Sequence, residues 1–269
     1  MRIRIHHETT YRYDAPLKYS VMIVRLSPES AADLHVLDWK VEAPGRLAPF
    51  RDHHGNRAMC LFLGPAHEEV TVIARGSVET VETHGVRPHV DGELPVGAYL
   101  RASPHTRIDE RLAAFADAMR PALEAARLEG LHELAKAVHE TVAFQEGETE
   151  VTTTAAEALA AGRGVCQDHA HIFIACCRHL GVPARYVSGY LAPAAGVAVT
   201  HAAGHAWAEV VVEDLGWVSF DAANGIAANE HYVRLAVGLD YADAGPLRGV
   251  RAGGGGEDLV VQIRIQGQE

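Results

Sequence analysis

Cysteine is scarce in this chain: four in 269 residues, too few for the disulfide framework that staples small secreted domains. Long apolar runs are missing as well. None approaches the roughly 18–20 residues of a membrane span, so no membrane partner is expected. The opening Met1-Arg2-Ile3-Arg4-Ile5-His6-His7-Glu8 alternates and lacks the apolar centre of a signal peptide, which makes a cytoplasmic, reducing location the expectation. Basic residues are outnumbered, 24 Lys and Arg against 35 Asp and Glu, and the net charge of −11 disfavours a nucleic-acid partner. No internal repeat is visible. What remains is ordinary globular composition, with enough chain for one large or two modest domains.

Three regions follow from the patterning, and together they predict an α+β protein. Residues 1–85 read as a β-sandwich-like domain. Arg2–His6 and Thr10–Tyr13 alternate with period two, and further strands are expected at Val21–Leu26, Leu37–Val41, Ala58–Leu63 and Val70–Ala74. Residues 86–102, rich in Gly and Pro, read as a linker. Residues 103–269 read as a catalytic core ending in a strand over Leu259–Ile265. Its helices are expected at Arg107–Met119, Pro121–Leu128 and Leu131–Phe144, with a short one over Ala155–Ala161. Thr154 and Glu157 open that short helix with capping-box spacing.

The chemistry concentrates after Gly162-Arg163-Gly164-Val165. A Gly-rich approach delivers Cys166 to the first turn of a helix that is apolar nearly all round and is ended by Gly181 and Pro183. Helix N-termini carry unpaired N–H groups and a partial positive charge, which bias a thiol there toward thiolate. Further on, His205 opens one strand of a hairpin, His205–Val212, and Asp221 ends the other, Trp217–Asp221. Cys166, His205 and Asp221 are therefore the candidate nucleophile, base and orienter. Asn224 is the rival for the third role. The hairpin sets a condition: with an even loop His205 points away from Asp221, whereas an odd loop pairs Val211 with Trp217 and puts His205 diagonally beside Asp221.

Several ordered blocks carry a resemblance. Gly164-Val165-Cys166-Gln167-Asp168-His169-Ala170-His171, Leu180-Gly181-Val182-Pro183-Ala184-Arg185-Tyr186-Val187-Ser188-Gly189-Tyr190, His205-Ala206-Trp207-Ala208-Glu209-Val210 and Gly216-Trp217-Val218-Ser219-Phe220-Asp221 resemble the core of the bacterial transglutaminase-like superfamily. Glu8–Tyr13, Arg25–Pro28 and Asp52–Asn56 resemble the β-domain that precedes this core in two-domain bacterial members. The resemblance implies a papain-like core whose nucleophile, Cys166, starts a buried helix packed on an antiparallel sheet. It implies thiol acyl transfer on amide bonds of a protein or peptide substrate, by peptidase, amidase, deamidase or crosslinking chemistry. The chain departs from the family at Ala222 and Ala223, where Pro-Thr commonly follows the aspartate, and at Leu239, where arginine is usual.

Each residue has a plainer role to weigh. Asp168, in the first turn, reads as a structural complement to the helix dipole. Trp207 shares the face of His205 by period two, either lining an acyl pocket as a substrate-binding residue or packing beneath the pair. One oxyanion donor is expected from the Cys166 N–H; the second is not placed by the sequence, a side chain near Phe144–Gln145 being one candidate. No metal or other cofactor is expected. Cys166 and Cys177 lie about 16 Å apart along one helix, and Cys176, Cys177 and His179 lack the paired spacing of a zinc site. His53, His54 and His84 read as solvated loop residues. Hydrolysis is favoured over crosslinking, and a catalytically silent scaffold is the alternative of another class.

Overall fold

The computed structural model describes residues 1–88 and 94–268. It is a mixed α/β protein, mostly strands. The strands of the first region are β1 (Arg2–Tyr13), β2 (Leu17–Val24), β3 (Leu34–Glu42), β4 (Arg46–Arg51), β5 (Arg57–Leu63) and β6 (Glu69–Thr80), followed by β7 (Val86–Arg87). Next come α1 (Glu110–Ala125), α2 (Arg127–Thr141), β8 (Ala143–Phe144), α3 (Ala155–Ala161), β9 (Arg163–Gly164) and α4 (Cys166–His179). The remainder is β10 (Ala184–Leu191), β11 (Ala198–His201), β12 (His205–Val212), β13 (Gly216–Asp221), β14 (Ile226–Ala227), β15 (Tyr232–Gly238), α5 (Tyr241–Ala244), β16 (Leu247–Gly253) and β17 (Glu257–Gln268).

Two sheets form a sandwich, one ordered β11-β17-β1-β6-β3 and the other β16-β2-β5-β4. Alternation explains the first: Ile3 and Ile5 of β1, Val70, Val72 and Ala74 of β6, and Ile263 and Ile265 of β17 all point inward and are buried. Leu17, Val24, Leu61 and Leu63 meet them from the other sheet. β17 runs antiparallel along the whole of β1, from Arg2 opposite Gln268 to Tyr13 opposite Glu257. The C-terminal strand expected to complete the helical core thus completes the first region's sheet instead. A half-buried β1 edge would otherwise expose a row of unpaired backbone groups. Strand β4 has no alternation to betray it and contains Pro49, which an edge position tolerates.

A third sheet, β14-β13-β12-β10-β15, carries α4 against one face. Twelve of the fourteen residues of α4 are buried, which makes it the centre of this half. It packs on β10 and β12 on one side and on α1, α2 and α3 on the other. Each fully buried Ile or Phe here, such as Ile172, Phe173 and Ile174, contributes about 1.5–3 kcal/mol. The helix ends with paired reversal bonds, Val182 N–H to Cys177 O at 2.8 Å and Gly181 N–H to Arg178 O at 3.1 Å, with Gly181 at φ +77°. Helix α3 spans Ala155–Ala161 with the expected Thr154/Glu157 capping box. The expected break at Pro121 does not occur: α1 runs through it, and the chain turns at Ala126, φ −154°.

The two halves share a core, since Tyr190 of β10, Ala192 just after it, and Val233 and Leu235 of β15 pack into the sandwich. Of the expected linker, residues 89–93 lie outside the described residues. On either side the chain is ordered against the core: β7 pairs with β13, and Tyr99 is buried on Trp217. Arg178 ties this stretch in, donating to the carbonyls of Tyr99, Ala184 and Leu239 and to Thr106 Oγ1 at 2.7–3.2 Å.

Candidate active site

Cys166 is the first residue of α4, half-buried, and the chain before it is held from several sides. Gly162 O and Gly164 O accept from the N–H groups of Ala143 and Gln145, both at 2.9 Å, through the short parallel pairing of β8 with β9. Asp168 Oδ2 accepts the Val165 N–H at 2.8 Å and the Thr149 hydroxyl at 2.7 Å. Asp168 therefore caps the helix and braces its approach. The N–H groups that open a helix have no acceptor within it and are free to meet an incoming group.

His205 and Asp221 arrive from β12 and β13. Their hairpin has the odd loop that the pair requires: Val212 lies opposite Gly216 and Val211 opposite Trp217, leaving three loop residues. His205 Nε2 lies 2.6 Å from Asp221 Oδ2. Asp221 is fully buried and receives more than the imidazole. Tyr232 Oη donates to Oδ2 at 2.7 Å, Asn224 Nδ2 at 2.6 Å, and the N–H groups of Ala223 and Asn224 reach Oδ1 at 3.0 and 3.2 Å. Burial works against ionising this carboxyl, but the bonds from His205, Tyr232 and Asn224 hold it below the ordinary carboxylate range. Asn224, the rival for the third role, donates its amide to Asp221. Tyr232 was not visible as a partner in the sequence, because nothing in its spacing points to Asp221.

Burial alone would push the imidazole's pKa down, but its interactions with Asp221 and with Cys166 outweigh it, and the ring is pushed up to about 10. Cys166 and His205 thus face one cavity, and Asp221 holds the imidazole at 2.6 Å. Trp207 lies behind the imidazole rather than in front: it is 2% exposed, its ring is 6.2 Å from that of His205, and it meets Tyr232 edge-on at 5.3 Å. Gly189, opposite His205, makes room for it, since a Cβ there would lie 2.6 Å from the indole and 2.1 Å from Val233 O.

A cavity of about 330 Å³ opens on Cys166 and His205. Gln167, Tyr186 and Ser188 line it from the helical half, and Ala202–Gly204 at its mouth belong to the small-residue loop before His205. Neither Phe144 nor Gln145 lines this cavity: Phe144 is exposed and Gln145 Nε2 donates to Glu148 at 3.2 Å. The first region, in which no reaction-centre residue was expected, supplies His7, Thr9 and Tyr11 of β1 to the cavity wall. β1 keeps one inward face throughout, apolar at Ile3 and Ile5 and polar at His7 and Thr9. His7 bonds Tyr190 Oη at 2.8 Å and Thr9 Oγ1 at 3.0 Å.

Among the described residues, one group has metal-ligand proximity: His53, His54 and Asp243, with ligand atoms within 4.8 Å of one another. Expected in a solvated loop, His54 is instead buried, because its ring nitrogens meet Tyr99 Oη and Asp243 Oδ2, each at 3.1 Å. Both nitrogens are thereby engaged, so the group works as a latch between the β4–β5 turn and α5. Asn56 adds to it, bonding both the N–H and the carbonyl of Val237.

Comparison with known proteins places this geometry. Residues 113–222 match the transglutaminase-like superfamily core, and residues 3–79 match the bacterial transglutaminase-like N-terminal region. An uncharacterized protein of Mycobacterium leprae is 33% identical over 287 residues, covering 98% of each chain. The chain belongs to the transglutaminase-like superfamily. A second uncharacterized relative, from Mycobacterium tuberculosis, is 28% identical over 274 residues, covering 93% of this chain and 87% of its own. The fold is shared with a candidate cysteine protease from Cytophaga hutchinsonii, at a TM-score of 0.75 and 21% identity over 100% of this chain and 91% of that one.

In this transglutaminase-like protein the departures from the family's pattern sit close to the site. Ala222 and Ala223 are buried behind Asp221, and Ala223 still delivers its N–H to the carboxylate. Leu239 packs with Tyr99 and Trp217, and a guanidinium reaches its carbonyl from Arg178.

Proposed function

We propose that this protein is a thiol-dependent acyl-transfer enzyme acting on amide bonds, with Cys166 as nucleophile, His205 as general base and acid, and Asp221 as orienter. The observation that carries the reading is the imidazole of His205, held at 2.6 Å by Asp221 and lining the same cavity as the cysteine that starts α4. In the first step the thiolate adds to the amide carbonyl. The oxyanion is met by the Cys166 N–H, and the tetrahedral intermediate expels the amine, which takes its proton from His205. A thioester remains. Water then attacks it, His205 takes the water's proton, and the carboxylic acid leaves with the thiolate restored.

Hydrolysis is favoured over protein crosslinking because, among the described residues, no carboxylate lines the cavity to receive a lysine ammonium, and the Ala202–Gly204 segment at its mouth leaves room for water. The substrate is a protein or peptide amide, and no metal or other cofactor takes part in either step. Incubating the enzyme with glutaminyl and peptidyl amides in the presence of a fluorescent primary amine tests the reading. Release of ammonia or peptide is expected to outrun amine incorporation. Incorporation that outruns release would make the protein a transglutaminase, and no turnover of either kind, together with an unreactive Cys166, would make it a scaffold.

A further inference from the structure

The cavity in front of Cys166 has an unusual lining for a site holding an ion pair. Among the described residues around its 330 Å³, none is Asp, Glu, Lys or Arg. The wall facing the catalytic half is built from the sandwich and its return strands: Tyr11 of β1, Leu247 of β16, and Leu259 and Val261 of β17, closed at one end by Tyr241 of α5. Two titratable side chains from the sandwich lie in it and neither adds charge at neutral pH: burial raises the pKa of Tyr11, and burial followed by the neighbouring His6 pushes that of His7 down to about 4. His205 does carry charge, but Asp221 already matches it.

We infer that this cavity is the acyl pocket and that it selects an uncharged, apolar acyl group, with the sandwich's Leu259 and Val261 setting the preference. The inference rests on the thiol acyl-transfer reading above. A carboxylate or ammonium carried into such a space gives up its water and gains no partner, which costs far more than an apolar group recovers there. An apolar acyl chain, by contrast, loses only unfavourable water contact, and each buried methylene adds to the gain. The volume lies at the small end of the roughly 300–1,000 Å³ range of ligand pockets, which suits one side chain or a medium acyl chain. This gives the β-half a purpose in the reaction: it forms the wall against which the acyl group is chosen.

The test uses three activated esters of matched length on the full chain: p-nitrophenyl hexanoate, the p-nitrophenyl half-ester of adipic acid, and p-nitrophenyl aminohexanoate. The burst of nitrophenolate gives the rate of Cys166 acylation, divided in each case by the rate with free cysteine. Hexanoate is expected to exceed both charged esters by at least ~10-fold. Leu259→Lys is half-exposed at the cavity mouth and so tolerable to the fold. It should shift the adipate-to-hexanoate ratio upward by about tenfold, and Val261→Lys, deeper on the same face, should do so more strongly. Normalised rates that are equal for the three esters, or ratios unmoved in both variants, would overturn the inference while leaving the thiol chemistry intact. A burst with none of the three would remove the thiol chemistry and this inference with it.

Discussion

His205 and Asp221 meet on a diagonal. The register that sets Ala208 across from Phe220 places Trp207, one step further, opposite Asp221, and the imidazole leans along the strands to reach the carboxylate at 2.6 Å. Trp207 occupies the space beneath that lean, with its ring tilted 27° from the imidazole. The ring orientation is thus set by register, by the buried indole, and by a carboxylate that Tyr232 and Asn224 hold in place.

Replacing Asp221 with Asn keeps the volume and removes the charge. The imidazole pKa is then expected to fall from about 10 toward the unperturbed value. Acylation of Cys166 should slow by about 100-fold or more, since the ring loses both its orienter and its counter-charge. Nuclear magnetic resonance of the imidazole and the nitrophenolate burst measure the two effects. A ring that titrates unchanged in the variant would contradict the assignment.

Glu209 lies under the sheet with two guanidinium groups on it, Arg185 at 2.6 Å and Arg234 at 3.4 Å, while Arg185 also lies over the Trp217 ring at 3.8 Å. Removing the shared acid leaves two buried cations facing each other. Glu209→Gln should cost about 3–5 kcal/mol of folding stability, read from the midpoint of urea unfolding. Lys136→Gln, in an exposed pair, should move the midpoint little.

Asp168 and Gly164 act as a unit. A Cβ on Gly164 would lie 2.6 Å from Asp168 Oδ2, so Gly164→Ala pushes away the carboxylate that caps α4. Asp168→Ala should lower stability by about 1–2 kcal/mol through the lost cap, and both variants should slow Cys166 acylation by loosening its approach. Thermal unfolding and the ester burst check this together. A destabilised variant with an unchanged burst would show that the cap does not position the cysteine.

Folding stability should pass through a maximum as pH is varied. Burial holds His7 at about 4, and burial with the nearby His105 pushes His171 well down. Both stay neutral in the fold while the unfolded chain takes up protons below its ordinary value near 6.5, so their contribution is lost as pH falls from there toward about 4. His205 has the opposite sign. Its raised pKa stabilises fully below about 6.5 and is lost as pH rises through about 10. Urea unfolding across this span should show both slopes, and His205→Ala should make the alkaline one shallower, the remainder coming from buried thiols and phenols such as Cys176 and Tyr190 whose pKa values burial raises.

Much of the helical half could be read in the sequence because its signals are local. The Thr154/Glu157 box, the Gly181 stop and the hairpin parity each depend on a few neighbouring residues. What escaped depended on distant pairing. β15 is buried on both faces and so carries no alternation, and β16 contains two glycines. The place of β17 beside β1 is a contact across nearly the whole chain. The candidate site divides the same way. Cys166, His205 and Asp221 stand in recognisable blocks, whereas Tyr232, Tyr11 and Leu259 reach the site only through the tertiary fold.

The central claim, that His205 activates Cys166, is tested most directly by limited iodoacetamide labelling at mildly acidic pH, with the modified cysteine located by peptide mass. A free thiol has a pKa near 8.5 and reacts slowly under those conditions. The account predicts fast labelling of Cys166 ahead of Cys60, Cys176 and Cys177, lost in His205→Ala. Slow labelling of Cys166, or labelling that persists unchanged without the histidine, would contradict it.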